Sequence, residues 1–168
     1  DSIVSIYLGT DYKIASGLKY KVFEDNIGYI RCESFANGIG DGNLSNALTE
    51  LSTCNGLIID VRNNGGGNLT NAHKLASAFT NEKRLVGYTT HKTGKHRNDF
   101  SKPEAVHIEP LKGVRWQKPV VVLTNRSCYS ATNDFVMCMQ TFPNITTMGD
   151  STGGGSGMPF TLEIPSGW

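Results

Sequence analysis

The chain has 168 residues, a length typical of one domain with a substantial hydrophobic core. Its formal net charge is +1, so charge gives no reason to expect a nucleic acid or an anionic membrane as a partner. The sequence also lacks the run of ~18 apolar residues that a membrane span requires. These properties predict a single globular domain over residues 1–168 that does not span a membrane.

In the first half of the chain, the apolar residues indicate alternating strands and helices. Short strands are predicted at residues 3–8, 20–24 and 27–33. Residues 41–52 are predicted to form a helix, because apolar side chains recur there at helical spacing, at Leu44, Ala47, Leu48 and Leu51. Residues 57–62 are typical of a strand buried on both faces, since four of the six are apolar.

The second half continues the alternation. A helix after the glycine run is indicated by apolar residues at helical spacing, Leu69, Ala72, Ala76 and Phe79. A strand is predicted at 84–90, and the polar stretch 91–104 predicts a long surface loop of the kind that lines a substrate cleft. A buried strand at 120–124, a third helix over 131–142 and a strand at 145–148 follow. The pattern predicts an α/β fold in one domain.

The four cysteines predict neither a metal site nor a cofactor. They form no Cys-x-x-Cys pair, and no histidine lies at the spacing of a zinc ligand set. Cys128 lies two residues before Ser130 and is the only cysteine to consider as a nucleophile. The favoured interpretation is that Cys128 is a bystander, since a free thiol usually behaves as a small hydrophobic side chain.

Two strand–loop–helix segments carry the chemistry. The strand over 57–62 runs into Gly65-Gly66-Gly67, and the strand over 120–124 runs into a polar turn that contains Ser130. Ser130 stands where a helix begins, so unpaired N–H groups lie beside its hydroxyl, although an ordinary N-cap serine is the simpler alternative. The glycine run has neither the P-loop nor the dinucleotide-binding spacing, which argues against a phosphate site. The two segments together therefore favour acyl transfer.

These segments resemble the C-terminal-processing (tail-specific) serine peptidases, a family related to the tricorn protease core and to interphotoreceptor retinoid-binding protein. Residues 60–67 are similar to the family's Asp-Leu-Arg-x-Asn-Pro-Gly-Gly loop, with Gly65 in place of proline. Residues 130–133 are similar to its Ser-Ala-Ser-Glu segment, and 149–152 to its Gly-Glu-Pro-Thr strand end. The resemblance covers roughly residues 27–159.

The resemblance implies a crotonase/ClpP-like spiral of ββα units and an endopeptidase that cleaves polypeptides. It makes Ser130 the nucleophile, and it makes the backbone N–H groups of Gly66 and Ala131 the oxyanion hole. It also implies a bacterial protein in the periplasm or at the cell surface. The PDZ domain typical of the family is not evident, and we expect the chain to be incomplete at one or both ends.

The general base is the part of the machinery that the sequence leaves open. Gly155 stands where the family has its lysine base, so a histidine is the expected substitute. His96, in a polar loop with a neighbouring acid, is the leading choice over His73, His91 and His107. The other alternative is a histidine upstream of this sequence. In related bacterial proteins an Asp-Gly-His-Val stretch precedes this region, and Asp1-Ser2-Ile3-Val4 stands in a similar place with Ile3 instead of histidine; on that alignment the base has been lost.

Two functions therefore stay open. The first is an active serine peptidase that uses Ser130 and a histidine. The second is a catalytically inactive relative that binds a peptide or a hydrophobic ligand in the same cleft. Acyl-CoA chemistry on a crotonase fold is a weaker third alternative, because it assigns no role to the Ser130 segment.

Overall fold

The computed structural model describes Ile6 and residues 8–157. Within them the elements follow one another in this order: β1 (Lys13–Ala15), β2 (Leu18–Val22), β3 (Ile27–Cys32), α1 (Asp41–Leu51), β4 (Gly56–Asp60), α2 (Leu69–Ser77), β5 (Arg84–Thr89), β6 (Glu104–Ile108), β7 (Val120–Thr124), α3 (Ala131–Met139) and β8 (Ile145–Gly149). The strands and helices alternate through most of this part of the chain. The predicted α/β fold is therefore confirmed.

Six of the described strands form one mixed sheet in the order β1-β2-β3-β4-β7-β8. The first three strands pair antiparallel, whereas β3, β4, β7 and β8 all run parallel. Ile59 of β4 lies opposite Ile30 of β3 on one side and Val122 of β7 on the other, and all three side chains are fully buried. Parallel strands buried in this way need apolar residues, which explains the unbroken apolar runs.

The helices supply the rest of the core. The four leucine and alanine residues that predicted α1 are all buried, as the helical spacing requires. Helices α2 and α3 pack against each other, and Phe135 of α3 stacks at a tilt on Phe35, with 5.4 Å between ring centroids. One continuous hydrophobic cluster therefore joins the sheet to its helices.

Strands β5 and β6 form a separate two-stranded hairpin. Its base is attached to the ends of the helices: Arg84 Nη1 donates to Thr141 O at 3.2 Å, and Leu111 N donates to Ser77 O at 2.9 Å. The loop over residues 90–103 is mostly exposed, as predicted for the polar stretch. Of the residues in the hairpin strands, Val86 and Ile108 belong to the hydrophobic core.

The parallel strands decide where a site can form. Because the carboxyl ends of parallel strands meet at one edge of a sheet, the segments that follow β3, β4, β7 and β8 converge there. These are residues 33–37, 61–67, 125–130 and 150–156. We call this the carboxyl edge.

Three predictions of local structure need correction. Ile6 and Leu8 are helical, so the predicted strand at 3–8 is wrong at these positions, and its other residues lie outside the described ones. A short apolar run does not distinguish a strand from a helix, which explains the error. The sequence also missed β1, which has three residues, and β6, which is mostly exposed.

Candidate active site

Ser130 has an unusual backbone at the start of α3. Its φ is 54° and its ψ is −125°, a left-handed conformation that favours glycine. Its side chain does not cap the helix, and Oγ has no hydrogen-bond partner within the described part of the chain. Residues held in such conformations cluster at functional sites. Ser130 is therefore a strained residue with a free hydroxyl rather than an ordinary N-cap.

Backbone hydrogen bonds on both sides hold this conformation. Ser130 N donates to Gly154 O at 3.1 Å, and Ser130 O accepts from Asp134 N at 3.1 Å. One residue earlier, Tyr129 N donates to Asn64 O at 3.2 Å. The turn that contains Ser130 is thus bonded to the glycine loop (residues 61–67) on one side and to the segment after β8 on the other.

The glycine loop rests on a buried carboxylate. Asp60 is fully buried and accepts from Tyr29 Oη at 2.7 Å, while Arg62 donates to it with Nε at 3.0 Å and Nη2 at 2.6 Å. Burial opposes ionisation of Asp60, but the hydrogen bonds from Arg62 and Tyr29 outweigh it, so the pKa of Asp60 lies below its ordinary value. Arg31, only 2 % exposed, adds a second guanidinium 3.6 Å from Asp60 Oδ1.

The loop after β4 and the loop after β7 are also joined directly to each other. Asn125 accepts from Asn63 N with its Oδ1 at 3.0 Å and donates to Asn63 Oδ1 with its Nδ2 at 2.7 Å. Cys128 is fully buried, and its thiol donates to Val61 O at 3.0 Å. Burial raises the pKa of this thiol, so the bystander interpretation of Cys128 is supported.

Gly66 lies against Ser130, as its predicted role requires. A Cβ atom placed on Gly66, whose φ is 106°, would lie 2.7 Å from Tyr129 O and 2.9 Å from Ser130 Cβ. Its N–H, however, donates to Asn64 Oδ1 at 2.9 Å. Asn64 is fully buried, and its Nδ2 donates to Cys32 O at 3.1 Å, which fixes the amide in place. The N–H assigned to the oxyanion is therefore already engaged.

The next N–H along the loop has no such partner. Gly66 O accepts from Phe35 N at 2.9 Å and from Ser34 Oγ at 3.3 Å. Because this peptide is trans, the N–H of Gly67 points away from both donors. Neither Gly67 N nor Ala131 N has a hydrogen-bond acceptor among the described residues. Sequence reasoning missed Gly67 because spacing alone does not show which N–H is occupied.

Residues 152–156 run alongside the turn that contains Ser130, and we call them the glycine strap. Gly153 N donates to Cys128 O at 2.8 Å, and Ser156 Oγ donates to Asp134 Oδ1 at 2.8 Å and Oδ2 at 3.0 Å. A Cβ atom on Gly155 would lie 2.0 Å from Cζ of Tyr129. Gly155, which the resemblance compares with the position of the family's lysine, is thus covered by an aromatic ring.

None of the four histidine side chains is hydrogen-bonded to Ser130 Oγ in the described part of the chain. His96 is exposed on the hairpin loop, where its N–H donates to Asp99 Oδ2 at 2.7 Å and its carbonyl accepts from Lys92 Nζ. Its imidazole has no hydrogen-bond partner within residues 8–157. His91 is also exposed, and His107 lies on β6.

His73 lies on α2, the helix that packs against α3. It is half-buried on α2, and burial lowers its pKa, while the nearby Asp134 carboxylate acts in the opposite direction. Asp134 lies one helical turn after Ser130 on α3. The upstream alternative at Ile3 lies outside the described residues.

The described residues bring no three His, Cys, Asp or Glu side chains together in an arrangement that could hold a metal ion. The polar groups that converge at the carboxyl edge are a strained serine hydroxyl, unpaired backbone N–H groups and a buried arginine–carboxylate network. Such an arrangement suits covalent catalysis by a hydroxyl with backbone stabilisation of an anion.

An α/β fold with a strained serine at a strand–helix junction is typical of serine hydrolases. Residues 26–168 match Peptidase family S41, and the chain belongs to this family. It is 29 % identical over 145 residues to a carboxyl-terminal-processing protease of Synechocystis sp., which covers 84 % of this chain and 31 % of that protein. The resemblance seen in the sequence is confirmed.

Two solved structures are similar to the fold. A candidate peptidase from Parabacteroides merdae has a TM-score of 0.92 and 51 % identity, over 99 % of this chain and 53 % of that one. The photosystem II D1 C-terminal processing protease has a TM-score of 0.58 and 23 % identity, over 75 % of this chain and 30 % of that one. The chain therefore spans about a third of the curated relative and half of the Parabacteroides chain.

Among the described residues, the helices are all too short or too polar to cross a membrane.

Proposed function

We propose that this chain is the catalytic core of a serine-type endopeptidase in which Ser130 forms an acyl-enzyme with a polypeptide substrate. The observation that carries the proposal is the left-handed conformation of Ser130, with φ of 54° and an unbonded hydroxyl beside the unpaired N–H of Ala131. A strained serine between a strand and a helix exposes its Oγ for attack. Membership of a peptidase family supports the same reaction class.

In the proposed reaction, Ser130 Oγ attacks the carbonyl carbon of the scissile bond while a base takes its proton. Ala131 N–H, at the positive end of α3, and one N–H of the glycine loop bind the negatively charged oxygen. The C–N bond then breaks, and the amine leaves with the proton. Water attacks the ester carbonyl and releases the acid, which regenerates the Ser130 hydroxyl.

The second donor comes from Gly66 or Gly67. The resemblance implies Gly66, which serves if its N–H is shared between Asn64 Oδ1 and the oxyanion. The contacts favour Gly67, because its N–H has no acceptor within the described residues and points away from the groups that bind Gly66 O.

We propose His96 as the base, with His73 as the second choice. His96 requires the exposed loop over 90–103 to carry its ring to Ser130. His73 has the support of its place on α2 beside Asp134. The base is the histidine whose replacement by alanine slows Ser130 acylation by about 10²-fold or more. If neither replacement slows it, the base belongs to another part of the protein.

Three further assignments rest on the family resemblance. We propose that the sheet and its helical crossovers between parallel strands belong to a crotonase/ClpP-like spiral, and that residues 1–168 form one catalytic domain without a PDZ module. We also propose a periplasmic or cell-surface location in a bacterium. Fractionation of the source cells tests the location.

The test of the function compares the wild-type chain with Ser130→Ala. Incubation with casein or a tagged unfolded protein is expected to give cleavage by the wild type only, and a fluorophosphonate probe is expected to label Ser130. The same low cleavage by both proteins, together with no labelling, would exclude the peptidase function.

The second candidate function is an inactive homologue that binds a peptide or a hydrophobic ligand at the carboxyl edge. One observation favours it: Tyr129 covers Gly155, the position of the family's lysine, and no described side chain is hydrogen-bonded to Ser130 Oγ. If the wild-type chain binds unfolded protein but does not react with the fluorophosphonate probe, this function is supported.

A further inference from the structure

Tyr129 is an exposed aromatic side chain fixed directly beside the proposed nucleophile. Its backbone is bonded at both ends, since its N–H donates to Asn64 O at 3.2 Å and its carbonyl accepts from Thr132 N at 3.1 Å. These bonds fix the direction of its Cα–Cβ bond relative to Ser130. Even so, 50 % of the residue is exposed.

The glycine strap is the surface on which the ring lies. A Cβ on Gly155 would lie 2.3 Å from the Tyr129 Oη and 2.4 Å from Cε2, and a Cβ on Gly153 would lie 3.2 Å from Cδ2. A side chain at Gly155 would overlap the ring. Glycine at 155 is therefore the complement of tyrosine at 129, and the two positions are coupled by contact.

A ring held in this way is a prepared binding surface. Tyrosine offers a large apolar face with few torsions to immobilise, so contact with it costs little conformational entropy. Among the described residues, Tyr129 takes part in no ring pair and no cation–π contact. The glycine strap covers one part of the ring, and half of the residue is exposed to solvent.

We propose that Tyr129 is a specificity-determining residue that binds an apolar or aromatic side chain of the polypeptide held at Ser130. This inference deepens the proposed function and rests on it for the identity of the ligand as a polypeptide. The ring adjoins the strained serine, so the side chain it contacts belongs to a residue close to the carbonyl group that Ser130 would attack. Acidic and amide side chains gain less there, because the face of the ring carries partial negative charge and the ring offers one hydroxyl.

The experiment measures binding rather than cleavage, so that it does not depend on the proposed reaction. Ser130→Ala is combined with Tyr129→Ala, Tyr129→Phe or, as a matched control, Tyr88→Ala; Tyr88 is an exposed tyrosine on β5 that is 66 % accessible. Fluorescence anisotropy then follows labelled Ala/Ser peptides that carry a single Phe, Leu, Gln or Asp. Thermal unfolding of each variant shows that it is folded.

We expect the Ser130→Ala chain to bind the Phe and Leu peptides more tightly than the Gln and Asp peptides. Tyr129→Ala should weaken binding of the Phe peptide about 3- to 10-fold and remove the preference, since an aromatic contact contributes about 0.5–1.5 kcal/mol. Tyr129→Phe should keep the preference because it keeps the ring. Tyr88→Ala should leave it unchanged.

Equal loss for all four peptides, no loss, or no peptide binding at all would overturn the inference. The outcome is separable from that of the proposed function. A preference that depends on Tyr129 in a chain whose wild type neither cleaves casein nor reacts with the probe would support Tyr129 and exclude the peptidase. Cleavage by the wild type with no Tyr129 effect would do the reverse.

Discussion

The carboxyl edge and the β5–β6 hairpin hold their polar groups in different ways. Asp60, at the end of β4, and Asn64, at the carboxyl edge, are fully buried, and both bond to the loop that contains Gly66: Asp60 accepts from Arg62, and Asn64 accepts from Gly66 N. On the hairpin, the ion pair between Lys83 and Glu109 is exposed at both ends, and His96 makes only backbone hydrogen bonds. Buried hydrogen bonds therefore hold the carboxyl edge, whereas the hairpin loop that carries His96 is exposed.

This difference separates the two halves of the proposed machinery. The nucleophile and the oxyanion donors depend on buried contacts, which tolerate little change. The predicted base, His96, lies on a surface loop that has few contacts with the core. Substitutions at the carboxyl edge should therefore affect both stability and Ser130 reactivity, whereas substitutions on the hairpin should affect reactivity alone or nothing.

The largest effect is expected from Asp60→Asn. The change leaves Arg31 and Arg62 beside a neutral amide, and breaking a buried ion pair in this way costs about 3–5 kcal/mol. Urea unfolding measures the loss. Glu109→Gln on the hairpin is the control and should change the free energy of unfolding by less than about 0.5 kcal/mol. Similar losses for the two variants would show that the two regions do not differ.

A smaller effect is expected from Gly66→Ala. Its φ of 106° is strained for alanine, and the new methyl group would meet Tyr129 O, so we expect a loss of about 1–3 kcal/mol and slower labelling of Ser130. Gly87→Ala on β5 is the matched control, because a Cβ there has no neighbour within 4 Å. Urea unfolding and fluorophosphonate labelling rates measure both variants. A labelling rate unchanged by Gly66→Ala would mean that the loop can move without consequence for the serine.

The smallest effect concerns pH. Burial lowers the pKa of His73 in the folded chain, so the unfolded chain binds the proton more readily below the ordinary histidine pKa of about 6.5. The free energy of unfolding should therefore fall as the pH drops below about 6.5, by an amount that His73→Gln removes. His96→Gln, at an exposed position, is the matched control for the loss of a histidine side chain. A slope that His73→Gln leaves in place would assign it to another group.

Much of the carboxyl edge could be predicted from local patterns. Four apolar residues among the six at 57–62 predicted a buried strand, and the polar turn before Ala131 predicted the start of a helix at Ser130; both elements are present. Parallel pairing of two such strands then brings their loops together. Ser130 and the glycine loop were singled out from these strand–loop–helix patterns, whereas the roles of Gly66 and Ala131 came from the family resemblance.

Contacts between segments were beyond sequence reasoning. The hydrogen bond from Gly66 N to Asn64 Oδ1 depends on how the loop turns, which the glycine spacing does not specify. The polar character of the loop around His96 correctly indicated exposure, but it gave no distance to Ser130. The place of His73 beside Asp134 follows from the packing of α2 on α3, two helices far apart in the chain.

The sequence by itself determined the α/β pattern, the family and the serine, because hydrophobic periodicity and short motifs are local properties of the chain. Only the tertiary structure decided which groups are free to act. It showed that Tyr129 covers Gly155, that Gly66 N–H is engaged while Gly67 N–H is open, and that Ser130 is strained. These features arise from the register of β4, β7 and β8 and from the close contact of the loops that follow them.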